Sequence, residues 1–130
     1  MNDLESLLAA KIAVIKQEFL AKLQTDWLPN LRLLRQRFAE SPADKELRVE
    51  LMRAGHNMSG SGSVFGCDDI STAGRQLETR IRLTLDSDSP AAEADQRDIL
   101  GLIDQLDAVC TEALRDAKPG ADSAGPAQSS

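Results

Sequence analysis

Apolar residues recur at spacings of three and four along most of the chain, the mark of helices that each bury one stripe. The first run is Leu4, Leu8, Ile12, Ile15, Phe19, Leu23, Trp27, Leu31, Leu34 and Phe38. It passes through Pro29, so two arrangements fit: Asp26 caps a second helix with Pro29 in its first turn, or one long helix kinks there. Ser41, Pro42 and Asp44 then combine an N-cap, a proline at the first helical position and an acid three residues after the cap, which predicts a helix from about residue 42. Leu47, Leu51, Ala54, Met58 and Phe65 form its apolar face until Gly66 breaks the run. Asp68 and Asp69 suit the first turn of a further helix, whose face is Ile70, Ala73, Leu77, Ile81 and Leu85. That helix should end at Asp86-Ser87-Asp88. Ser89 and Pro90 repeat the cap-plus-proline start, and Ile99, Leu102, Ile103, Leu106, Val109, Cys110 and Leu114 line the last helix.

Helices of this kind, joined by short connections, pack most simply as an all-α antiparallel four-helix bundle with an additional or kinked N-terminal helix. The bundle is expected over residues 1–117. Residues 118–130, which contain no large apolar side chain, are expected to be a disordered tail.

Composition narrows the function. Fifteen basic against 21 acidic residues give a formal charge of −6, whose field repels nucleic acid and anionic lipid. No apolar run is long enough for a bilayer span or a signal peptide, so a cytoplasmic protein without membrane insertion is expected. Cys67 and Cys110 are too few for a disulfide framework and read as small reduced core residues. With His56 the one histidine, neither an HExxH metal helix nor a Cys/His zinc site can be assembled, and no metal or cofactor is expected.

The stretch around His56 breaks the pattern. From Gly55 to Gly66 it holds four glycines and three serines, although each helical glycine costs roughly 1 kcal/mol relative to alanine. At about 100° per residue, His56 lies about 140° round the helix from Leu51 and about 160° from Met58, so its ring should face solvent. The same rotation puts Val49, Met52, Arg53, Ser59 and Gly60 within about 60° of it. Small residues beside the ring would let another protein's backbone come close. A phosphate-binding loop does not fit, because no Lys-Ser/Thr follows the last glycine and no strand precedes the run.

Read in order, His56, Asn57, Met58, Ser59, Gly60, Ser61 and Gly62, followed in step by Gly66, Ile70, Leu77 and Glu78, resemble the motif of the histidine phosphotransfer (HPt) domain family. That motif is His-x-Leu-Lys-Gly-Ser-Ser, then Gly, Leu and Leu-Glu or Leu-Gln. The resemblance implies a four-helix bundle in a two-component phosphorelay. His56 would accept a phosphoryl group from a receiver-domain aspartate or a histidine kinase and pass it to another receiver aspartate. Such a protein is a phosphoryl carrier and not a self-contained enzyme, and its partners are a response-regulator receiver domain, a sensor histidine kinase, or both. A monomer is expected.

One position departs from the motif. The usual lysine three residues after the histidine is Ser59, so charge stabilisation falls to Arg53, one turn earlier, or Arg75 on the next helix. Ser59 is also the one hint of a second reading, a non-catalytic adaptor that binds receivers without efficient transfer. Glu78 is a candidate to accept a hydrogen bond from the ring and fix its tautomer. Val49 and Met52 are expected as exposed apolar residues of the docking patch. Gly60 and Gly62 should give clearance for the partner, while Gly66 serves the turn.

Overall fold

The computed structural model describes residues 3–85 and 93–117. Every element in them is helical: α1 (Asp3–Lys22), a π-helical turn (Leu23–Trp27), α2 (Leu28–Glu40), α3 (Lys45–Val64), α4 (Asp68–Leu85) and α5 (Glu93–Ala117). α1, the π turn and α2 run on as one rod. This rod packs with α3, α4 and α5 as a helical bundle around Leu31, Phe38, Leu51, Met58, Leu77, Ile81, Ile99 and Leu106.

The junction at Pro29 follows the second of the two arrangements, with the break made as a π turn. Proline has no N–H to continue the ladder, and the register slips just ahead of it, where the Leu28 N–H reaches back five residues to the Leu23 carbonyl. Asp26 does not cap; its carboxylate lies 3.8 Å from Lys22.

Two further expectations need correction. α3 begins at Lys45 and not near residue 42, because Asp44 takes the cap and its side chain accepts from the Leu47 N–H at 3.3 Å. The stretch before it is a turn closed by the Asp44 N–H on the Ser41 carbonyl at 3.1 Å. In α1 the apolar stripe is not buried over its length: only Phe19 and Leu20 reach the core, while Leu4, Leu8, Ile12 and Ile15 are exposed. The bundle stops short of them. Phe65, at the end of α3, stacks on Phe19 at 5.2 Å between ring centroids, and Trp27 meets Phe19 edge-on at 5.9 Å. This aromatic cluster closes one end of the core.

α3 turns into α4 through Gly66, whose φ is positive (+73°). The Gly66 and Cys67 N–H groups return to the Ser63 and Gly62 carbonyls at 3.4 and 2.8 Å, a left-handed helix stop that fits glycine. Asp68 and Asp69 open α4 as expected. Ion pairs fix the flanks: Arg32 makes a two-pronged contact with Asp107 (2.8 and 2.9 Å) and Arg35 with Asp104 (2.6 and 3.1 Å), tying α2 to α5, and Arg80 joins α4 to Asp95 and Asp98. The expected helix end at Asp86-Ser87-Asp88, the Ser89-Pro90 start and the tail lie outside the described residues.

Candidate functional site

The close approach of α3 to α4 builds the site. Gly55, Ser59 and Gly62 recur one turn apart on the face of α3 that meets α4, opposite Ser71 and Gly74. A Cβ on Gly55 would lie 2.7 Å from the Gly74 carbonyl oxygen, and one on Gly74 would lie 2.6 Å from that of Gly55. Both are backbone contacts, so only glycine at each position allows this spacing. The next residue after Gly55 is His56, and one turn after Gly74 comes Glu78. The glycine contact therefore sets the histidine beside the acid.

His56 leans outward with 70% of its side chain exposed, while Glu78 sits in the groove between the helices at 14%. The His56 Nδ1 and Glu78 Oε2 are 3.1 Å apart. A carboxylate can only accept, so Nδ1 carries the proton and donates, which leaves the Nε2 lone pair facing solvent. The same Oε2 accepts from Arg82 Nη2 at 2.6 Å. Arg82 was not singled out from the sequence, although Glu78 and Arg82 stand at the i,i+4 spacing of a helical ion pair.

The other candidates divide. Gly60 is exposed and a Cβ there would meet nothing within 4 Å, so this position does open space beside the ring. Gly62 does not: it is buried, and a Cβ would lie 3.0 Å from the Cys67 oxygen and the Ser71 nitrogen. Its missing side chain serves the packing of α4. Ser59 is likewise buried, with its hydroxyl 3.4 Å from that of Ser71, and so does not stand in solvent beside His56. Val49 and Met52 are half-buried and not exposed, and Met52 packs against the core. α3 is wedged between α2 and α4, and both of its flanks are partly covered.

Arg53 is exposed one turn before His56. It lines a groove of about 390 Å³ between α2 and α3 with Trp27, Asn30, Arg37, Glu50 and Asn57. Arg75 faces a different groove, towards α5, with Thr79, Leu83 and Leu102. Cys67 and Cys110 are both free, and burial pushes the Cys110 thiol up to about 12. Among the described residues no group of three or more His, Cys, Asp or Glu side chains could hold a metal ion. No helix there is long and apolar enough to cross a membrane.

The arrangement amounts to one outward imidazole whose Nδ1 lies against a carboxylate, with open space at Gly60 beside it. A family model for the Hpt domain matches residues 14–112, about three quarters of the chain. No curated protein and no solved structure matches it.

Proposed function

The chain belongs to the Hpt domain family, and from that premise we propose that His56 is the residue that carries the phosphoryl group in a two-component phosphorelay of the cytoplasm. The Nε2 lone pair attacks phosphorus, the N–P bond forms, and the P–O bond of a receiver's aspartyl phosphate breaks, releasing the aspartate carboxylate. The proton on Nδ1 stays in place. The ring gains positive charge as the bond forms, and the Glu78 carboxylate stabilises it through the 3.1 Å contact. The reverse attack by a second receiver's carboxylate restores the neutral imidazole.

The observation that carries this reading is the pairing of a largely exposed ring with a half-buried acid on Nδ1 alone. Phosphoryl transfer depends chiefly on positioning and charge stabilisation, so a carrier needs to supply little beyond an oriented nitrogen. Arg53, one turn away, draws the phosphoryl oxygens. Gly60 lets the receiver's backbone approach, and the half-buried Val49 and Met52 border the docking face. With Ser59 turned into the helix interface, the receiver supplies more of the positive charge in this pair of proteins. A sensor kinase is the other donor.

Incubation with a phosphorylated receiver tests the reading. The expected result is acid-labile label on the wild-type chain and none on His56→Gln. Stable binding without label on either chain supports an adaptor and overturns transfer.

A further inference from the structure

His56 Nδ1 and Arg82 Nη2 meet the same atom, Glu78 Oε2, at 3.1 and 2.6 Å. A carboxylate so placed does two opposing things to the ring. It holds the proton on Nδ1, which leaves the lone pair on Nε2, and its charge favours a second proton on that same Nε2. A doubly protonated imidazole has no lone pair to offer phosphorus. The side chain of Glu78 is only 14% exposed, so solvent screens its charge little. We propose that Arg82 resolves the conflict: its guanidinium shares the carboxylate and makes Nε2 accept a phosphoryl group in preference to a proton. The inference rests on the reading of His56 as the phosphoryl carrier.

Distance and charge support it. Through the shared oxygen the guanidinium lies within about 6 Å of Nδ1, and it does not lose its own proton. A second proton on the ring sets a cation beside a cation. At that separation the repulsion changes the ratio of imidazolium to neutral ring roughly three- to tenfold, for an effective dielectric constant between about 80 and 40. A phosphoryl group differs. The ring again gains positive charge, but the incoming oxygens are negative, and their attraction to the guanidinium offsets the repulsion. Arg82 therefore opposes the proton and tolerates the phosphoryl group at one nitrogen. Stability does not account for the pair, since the Arg82 side chain is 60% exposed and a surface i,i+4 pair contributes little to folding.

The other charged groups of the neighbouring elements point elsewhere. Arg53 and Glu50 of α3 line the groove between α2 and α3, where Arg37 enters from α2. Arg75 of α4 lines the groove towards α5. His56 lines neither. Ser59, at the position of the motif's lysine, is buried and uncharged. Among these groups Glu78 alone is hydrogen-bonded to the ring, and Arg82 alone shares its oxygen.

Nitrogen-15 NMR of the one histidine, followed from about pH 5 to about pH 9, reads the ring's protonation without any phosphoryl donor. Arg82→Gln is expected to raise the ratio of imidazolium to neutral ring about threefold at a given pH, and Arg82→Glu to raise it further. Arg82→Lys should stay near the wild type. Phosphoramidate supplies the second measurement: its P–N bond breaks as the bond to Nε2 forms, and ammonia leaves. The rate for Arg82→Gln, relative to the wild type, is expected to fall at least twofold further at about pH 6 than at about pH 9. An unchanged imidazolium ratio in Arg82→Gln overturns the proposal. So does a rate loss that is equal at both pH values, which would leave Arg82 as a holder of Glu78 or of the phosphoryl group alone. A ring whose protonation responds to Arg82 as expected, in a wild-type chain that takes no phosphoryl group, supports the charge effect and overturns the carrier reading instead.

Discussion

Alanine at Gly74 and alanine at Gly60 are the same chemical change in helices of one bundle, and their effects on stability should have opposite signs. At Gly74 the new methyl would sit 2.6 Å from the Gly55 carbonyl oxygen and 3.0 Å from the Ser59 nitrogen. Ordinary contact begins at 3.4 Å, so the first distance falls 0.8 Å short (3.4 − 2.6). Neither atom is the tip of a flexible side chain, so α3 and α4 must move apart. Overpacking of this kind costs about 1–3 kcal/mol, and lengthening the His56–Glu78 hydrogen bond adds up to ~1 kcal/mol. Alanine's better helix propensity returns ~1 kcal/mol. The expected net effect is a loss centred near ~1.5 kcal/mol within a span of about 0–3 kcal/mol, a sizeable share of the 5–15 kcal/mol typical of a domain. At Gly60 nothing lies within 4 Å, so the propensity gain of ~0.5–1 kcal/mol stands alone. Urea unfolding followed by far-UV circular dichroism gives both values. Gly74→Ala as stable as Gly60→Ala would refute the claim that glycine contact sets the spacing of the two helices, and with it the origin of the His56–Glu78 geometry.

Glu78→Ala should slow transfer from a phosphorylated receiver by roughly tenfold and leave receiver binding unchanged, whereas Arg82→Ala should slow it less; equal binding losses in both variants would make Glu78 a docking residue instead. The hydrogen bond from Arg32, helped by Thr111, holds the Asp107 carboxyl below the usual carboxylate range. Its contribution to stability is therefore complete above about pH 4, the unfolded value, and is lost as pH falls through the lower folded value. Asp107→Asn should flatten the acid limb of a melting-temperature profile, and an unchanged limb would remove the pair from the account. Cys110, fully buried with its thiol pushed up to about 12, should resist iodoacetamide in the native protein at about pH 8 and react once the chain is unfolded in urea; rapid native labelling at Cys110 would show that the core end near α5 opens.

The bundle was legible because Leu31, Leu34, Leu51, Leu77, Ile99 and Leu106 keep helical spacing, and each is buried where that spacing points. The same rule misled at Leu8 and Ile12, since periodicity reports an apolar face and says nothing of what covers it. His56 was legible from its angle to Leu51 and Met58. Ser59 and Gly62 were not, because an angle measured from the core side ignores a neighbour that approaches the flank. The signal for that neighbour was present in the small residues at 55, 59 and 62 on one helix and 71 and 74 on the next. The start of α3 was missed because Ser41 fits a cap with Asp44 as the acid three residues after it, whereas Asp44 itself caps the helix beside the first core residue, Leu47. Glu78 was found through the resemblance. Arg82 needed only the i,i+4 rule applied from Glu78 along its own helix.

The central claim is that phosphorus bonds to Nε2 of His56 while Nδ1 keeps its proton against Glu78. Nitrogen-15 and phosphorus-31 NMR of the chain, phosphorylated by a receiver and labelled in its one histidine, distinguishes the two ring nitrogens directly. The account predicts phosphorus coupled to Nε2, with a protonated Nδ1. Phosphorus on Nδ1, or a histidine that stays unmodified while the receiver loses its phosphoryl group only to water, would contradict it.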